Sequence, residues 1–421
     1  MPQYKLTAWV LGVCVCAPAF AASQQESKGF IEDSHLDLFL RNAYINRDKK
    51  HGTNDQIEWG QGATATFSSG FTQGAIGVGV DAFGIYGIRL DGGRGHSGGA
   101  GIDFFKQGDS GAAANNVARA GAAVKFRYSN TVLAYGDQMP TLPLLNSDQS
   151  RLLSESYTGT FITSEEIEGL VLHAGRFTSQ ARKSAEGRDS GRLKRIDVLG
   201  GRYQFNKAFA GSLYATDVKD VLKRQYLGLN YSHAFDDTRS LTLDFNGYRT
   251  QQDKKYDGHG HNNRIWSLAA TFVQGAHSFT LAHQRSSGST GYDYGWYQSA
   301  GGVGDGGSSI WLANSYWSDF NAKDENSWQL AYGLDFASFG VPGLRYNIAY
   351  VRGDNIDTGG NGRGEERELF NQVQYTVQSG AAKDLNVRLR SSLLRVSNNA
   401  RGYNDDGNEV RVYIDYPVNI F

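Results

Sequence analysis

An all-β transmembrane antiparallel β-barrel is the fold class that this sequence predicts, and three observations point there. Apolar and polar residues alternate in short segments from one end of the chain to the other. Glycine and aromatic residues abound, with 53 Gly, 23 Tyr and 22 Phe in 421 residues. Long polar connections alternate with short ones. Past residue 21 no window approaches the roughly 18 consecutive apolar residues of a helical span. A crossing by strands, apolar outside and polar inside, remains.

The chain opens with Lys5, an apolar run from Leu6 to Phe20, and Ala19-Phe20-Ala21. That order of charge, apolar stretch and small residues reads as a secretory signal cleaved after Ala21. Residues 1–21 are therefore assigned to a signal peptide and 22–421 to a single barrel domain. Both cysteines, Cys14 and Cys16, fall in the leader, so the remaining chain has no disulfide or thiol chemistry. A net charge of −1 gives no bias toward nucleic acid.

The segments come in order. Leu36, Leu38 and Leu40 oppose Asp37, Phe39 and Arg41. Val124, Phe126 and Tyr128 oppose Lys125 and Arg127. Leu227, Leu229 and Tyr231 form a further apolar face, as do Trp328, Leu330, Tyr332 and Leu334. Leu344, Tyr346, Ile348 and Tyr350 oppose Arg345 and Asn347, and Leu385, Val387 and Leu389 oppose Arg388 and Arg390. Period two marks half-buried strands. The polar faces mix arginine with Gly, Ala and Asn, which suits a concave wall around a lumen. Aromatics at segment ends, such as Trp266 and Trp328, suit interfacial girdles. The last segment, Val410 to Phe421, ends on an aromatic and carries Pro417, a residue that strands accept at edges or bulges; a bulge is expected there.

Among the long connections, Tyr135–Thr160 stands out. It holds Pro140 and Pro143, six apolar side chains from Met139 to Leu153, and the polar residues Asp137, Asp148, Ser150 and Arg151. Its apolar content argues for a folded loop, placed inside the barrel.

Motifs for catalysis are weak. Gly95-His96-Ser97-Gly98-Gly99 matches G-x-S-x-G but lacks the strand and helix that a nucleophile elbow needs. His259-Gly260-His261 sits in a polar loop. No metal, cofactor or nucleic-acid motif is present. What remains is a set of cations on lumen-facing positions: Arg41, Lys125, Arg127, Arg345, Arg388 and Arg390, with Arg176, Arg202 and Arg411 less clearly phased. Guanidinium groups pair carboxylates bidentately, and a spaced series passes an anion along if each contact is weak.

Several stretches resemble the porin D (OprD) family of substrate-specific outer-membrane channels. They are Gly29-Phe30-Ile31-Glu32-Asp33-Ser34, Leu40 to Asp48, Glu58-Trp59 with Gln61-Gly62, Ser69 to Gly74, Gly77 to Ala82, Tyr135–Thr160, and Leu312-Ala313-Asn314-Ser315. The resemblance implies a pore of about 18 strands in the Gram-negative outer membrane. It implies inward-folded extracellular loops forming a constriction, Tyr135–Thr160 first among them. It also implies a ladder of basic residues, for which Arg41, Arg127, Arg176, Arg345, Arg388 and Arg390 are candidates, facing an acidic pocket with Asp305 as its candidate. The expected function is passive, selective diffusion of small carboxylates. Members preferring basic amino acids and small peptides are the alternative, and a barrel enzyme a remoter one. Expected partners are the carboxylate solutes, outer-membrane lipid and lipopolysaccharide, and the barrel-assembly machinery through the strand ending at Phe421.

Overall fold

The computed structural model describes residues 23–92, 102–108, 111–189, 191, 193–295 and 310–421. The leader, the Ser97 motif and Asp305 lie outside them. The strands appear in chain order. β1 is His35–Lys49, β2 Gln56–Ser68, β3 Gly77–Asp91, β4 Asn116–Tyr128 and β5 Thr131–Gln138. Two short strands, β6 (Thr141–Leu142) and β7 (Leu145–Asn146), pair only with each other. β8 is Ser156–Ile167, β9 Leu170–Ala181, β10 Ile196–Gln204, β11 Phe209–Val218, β12 Leu222–Ala234 and β13 Arg239–Gln252. β14 is Asn262–Gln274, β15 His277–Gly288, β16 Asn326–Asp335, β17 Leu344–Asp357, β18 Arg363–Thr376, β19 Asn386–Val396 and β20 Gly407–Asn419.

All except β6 and β7 join one 18-stranded antiparallel sheet. β1 pairs with β20 from Asp37↔Asn419 to Lys49↔Gly407, so the sheet closes and has no edge. Closure is what lipid demands, because no water is there to satisfy a free strand edge. Among the described residues helix is confined to single turns such as Lys254–Asp257.

The faces predicted from alternation hold except at Arg176, which points outward. Leu330 and Leu389 are exposed on the outer surface, whereas Lys125 and Arg411 are buried within the barrel. The bulge expected at Pro417 is absent: β20 stays in register through Phe39↔Pro417. The Ile420 amide donates to the Leu36 carbonyl at 2.8 Å. Even-numbered amides of β20 therefore face β1, and position 417 faces β19. Pairing with β19 runs only as far as Asn386↔Asp415. The missing proline N–H therefore costs no ladder bond.

The apolar core lies between inward loops and the inner wall. One cluster gathers Leu142, Leu144 and Leu145 against Tyr157, Phe177 and Tyr214. Another gathers Leu152 and Leu153 against Phe83, Ile85, Phe104 and Phe105. Gly60 makes the second one fit: a Cβ there would stand 2.6 Å from Leu152 Cδ2 and 3.0 Å from the Phe105 ring.

Candidate functional site

The Tyr135–Thr160 stretch does fold inward. Its flanks form the paired strands β5 and β8, and its middle forms the β6–β7 hairpin turning at Pro143-Leu144. The Ser147 amide donates to the Pro140 carbonyl at 2.8 Å. The tip is held to the wall. Arg41 Nη1 donates to the carbonyls of Gln149 (2.6 Å) and Arg151 (2.7 Å), and the Tyr413 hydroxyl donates to that of Ser150 at 2.9 Å. On its far side Asp148 is buried and accepts from Lys183 Nζ at 2.5 Å and from the Ser150 amide at 2.7 Å. Burial opposes the Asp148 charge, but Lys183 and Arg151 hold its carboxyl well below the usual carboxylate range. Asp148 is thus a pin between two loops. Asp137 is held by the Thr158 hydroxyl and lies 3.3 Å from Arg188. The Arg151 guanidinium reaches the Ser150 hydroxyl at 2.9 Å.

The cations predicted as one ladder stand in three places. Lys125 and Arg127 are near the short-turn mouth. Lys125 pairs with Asp81 and Ser68, each at 2.6 Å. Arg127 donates to Gln24 at 2.9 Å and lies 4.2 Å from the centre of the Phe71 ring. Arg127 anchors the segment before β1, and Lys125 ties β4 to β2 and β3. Arg176 is on the outer surface. Phe177, its neighbour, is fully buried inside, so position 176 points outward, where its Nε meets Asp197 at 2.6 Å. It does not belong to the lumen.

The rest converge on β17–β20 and β1. Arg41 binds Asp415 through Nε and Nη2 at 2.7 and 3.0 Å. Arg388 also reaches Asp415, at Oδ2 and 3.5 Å, and lies 4.9 Å from the Tyr413 ring centre. Arg390 is opposite Arg411 in register and lies 4.9 Å from the Phe370 ring centre; among the described residues it has no ion pair. Arg411 and Arg47 share the buried Glu409 at 2.5 and 2.7 Å. Arg47 was not singled out from sequence, although its position in the β1 alternation marked it as inward. Arg345 lies along the same wall, 3.4 Å from Asp335. Four of the five guanidinium groups on this wall (Arg41, Arg47, Arg388 and Arg411, with Arg390 the fifth) thus pair with two carboxylates, Asp415 and Glu409, while the buried Glu366 and Glu368 of β18 accept instead from Ser318, Asn404 and the Trp317 and Ser318 amides.

This wall borders a cavity of about 300 Å³ lined by Arg345, Arg388, Arg390, Gln372, Ser315 and Tyr316. Tyr316 and Ser315 belong to the loop before β16. Tyr316 stacks on Phe370 with ring centres 4.4 Å apart. Asp319 of the same loop accepts from the Tyr294 and Ser315 hydroxyls. Burial pushes its carboxyl up, with those hydroxyls and then Arg151 and Arg411 pulling it back. Asp319 is a loop acid within electrostatic reach of Arg151 and Arg411; Asp305, in the same connection, lies outside the described residues. His261 Nδ1 is 3.0 Å from Asp257, a local contact within its loop, and no metal-type cluster occurs among the described residues.

A closed 18-stranded barrel with folded loops inside it and cations on its inner wall defines an outer-membrane channel. The comparisons give its family. The model of the outer membrane porin, OprD family, matches residues 28–420, and the chain belongs to that family. It is 41% identical to Porin D of Pseudomonas aeruginosa over 96% of this chain and 95% of that one. Its fold matches Acinetobacter baumannii OccAB1 with TM-score 0.88 and 37% identity, covering 94% of this chain and 99% of that one. It also matches P. aeruginosa OpdK, in a crystal structure with vanillate, with TM-score 0.81 and 31% identity, covering 93% and 100%. The protein is therefore a substrate-specific porin of the Gram-negative outer membrane.

Proposed function

We propose that the solutes are small carboxylates and that Arg388 and Arg390 are the wall residues that first bind them beyond the constriction. The observation that carries this is the excess of guanidinium over carboxylate around the cavity, with Arg390 lacking an ion-pair partner among the described residues. An arriving carboxylate replaces water on a preformed fork at little ordering cost. Asp415 and Glu409 already occupy the neighbouring arginines, which keeps the attraction weak enough for release. Arg41 has a different job: four of its N–H bonds are spent on Asp415 and the loop carbonyls, so it holds the constriction in place. That a relative was crystallised with vanillate, itself a carboxylate, agrees with this reading.

Liposome uptake tests it. Benzoate-type and aliphatic carboxylates should enter faster than neutral analogues of equal size. If lysine and arginine outpace every monocarboxylate, the alternative of a channel for basic amino acids is correct.

A further inference from the structure

The outer surface carries a charge pattern that conduction does not use. Near the long-loop end, Arg249 on β13 is directly opposite Arg264 on β14. Arg352 on β17 is directly opposite Arg367 on β18, which is directly opposite Arg395 on β19. Arg285 on β15 continues the row beside Trp266. The inward neighbours of these residues, such as Thr250, Asn263, Glu366 and Leu394, are buried, so the arginines themselves point outward. Cross-strand partners sit about 5 Å apart at Cβ, and like charges there repel. Protein acids compensate little of it: Glu365 reaches Arg352 at 3.1 Å, and Arg395 takes neutral partners, Gly407 and Asn408. Arg249, Arg264, Arg285 and Arg367 have no ion pair among the described residues.

An aromatic and apolar row is interleaved with these arginines: Trp266 is directly opposite Arg285 and Trp328 directly opposite Arg352, while His283, Tyr350 and Leu393 lie two residues nearer the barrel middle than Arg285, Arg352 and Arg395 on their own strands. Trp266 and His283 lie 5.4 Å apart, and His283 and Trp328 4.3 Å apart, between ring centres. Tyr350 and Leu393 continue it, both exposed. Such a row marks the boundary between hydrocarbon and headgroup, so the arginines stand at headgroup height. Beside Arg249 a cavity of about 560 Å³ opens on the outer surface, bordered by Leu199, Ala215, Gln225 and Lys223 and by two acids that already have cation partners, Asp197 with Arg176 and Arg195 and Asp217 with Lys223.

We propose that this arginine belt binds the phosphates of the outer leaflet's phosphorylated glycolipid, with an acyl chain lying along Leu199. A phosphate between two opposed guanidiniums converts a repulsion into two charge-assisted, fork-shaped contacts. Lipid A offers two phosphates on one apolar anchor, whereas a phospholipid offers one. The belt secures the barrel's depth and seals its rim against the lipid.

The test uses the full-length barrel purified from outer membranes and stripped of lipid with detergent. Lipid A, dephosphorylated lipid A and phosphatidylglycerol are titrated against it, with native mass spectrometry as the readout. Arg249→Gln/Arg264→Gln and Arg352→Gln/Arg367→Gln are compared singly and combined, and unchanged single-channel conductance certifies their fold. Lipid A is expected to bind, each pair of substitutions to weaken it about tenfold, and dephosphorylated lipid A and phosphatidylglycerol to bind at least tenfold more weakly than lipid A. Equal binding by the folded combined variant overturns the proposal. Equal binding of dephosphorylated lipid A overturns the role of phosphate, and equal binding of phosphatidylglycerol overturns the glycolipid as occupant.

Discussion

Arg390 and Arg41 are both inward arginines of one wall, yet their surroundings give them opposite roles. Arg390 lies over Phe370 with no ion pair among the described residues, so Arg390→Gln should lower carboxylate flux severalfold while leaving the thermal midpoint within a few degrees of the parent; circular dichroism and liposome uptake check both. Arg41 binds Asp415 and two loop carbonyls. Arg41→Gln removes the nearer of the two guanidinium partners of Asp415 and leaves Arg388 at 3.5 Å, a loss of about 1–3 kcal/mol, and should raise single-channel conductance by loosening the loop tip. Alternation alone gave the correct face for Arg41, Lys125, Arg127, Arg345, Arg388 and Arg390. It failed for Arg176, because β8 and β9 slip register between Thr158 and Gly159 and glycine at 175 blanks the pattern beside it. It also passed over Arg119, whose neighbours Ala118 and Ala120 mark no face. Arg119 donates to the carbonyls of Ser154, Arg182 and Ala185, tying two inward loops to β4.

The inward-folded loop 139–155 is an element held from several sides: by Arg41 and Tyr413 at the tip, by Lys183 at Asp148, and by Leu152 and Leu153 against β2 and β3. Proline placement and apolar content made its inward folding legible, but the partners on distant strands and loops were not, because they depend on barrel closure. Gly60→Val would drive a side chain into Leu152. Overpacking of this kind costs about 1–3 kcal/mol, and the tip should detach, seen as faster proteolysis between 139 and 155. A second loop carries a pH dependence. Burial pushes the Asp103 carboxyl up to about 6, against the pull of Lys183 and the Ser184 hydroxyl. A raised carboxyl stabilises packing fully below its free value, about 3.9, and loses that contribution as pH rises through the raised value. Asp148, held low, changes only in stronger acid. Protection factors in 102–108, with the intrinsic base-catalysed exchange rate divided out at each pH, should therefore be higher at about pH 5 than at about pH 7.5, and Asp103→Asn should flatten that difference.

For the whole molecule, closure and asymmetry matter most. Period-two patterning and alternating loop lengths foretold the barrel, because lipid permits few other strand architectures. They did not foretell that the cations divide between the short-turn mouth, the inner wall and the outer belt, since a strand pattern shows a face but not a height shared with distant strands. The division leaves the arginine excess on one wall, β17–β20 with β1, so the lumen as a whole should favour anions. The most direct measurement is the ion current through single channels in planar bilayers under a potassium chloride gradient, with a small monocarboxylate added. The account predicts a reversal potential on the anion side, a carboxylate-dependent reduction of current, and loss of both in Arg388→Gln/Arg390→Gln with the open barrel intact. A cation-selective current, or a carboxylate effect that survives both substitutions, would contradict it.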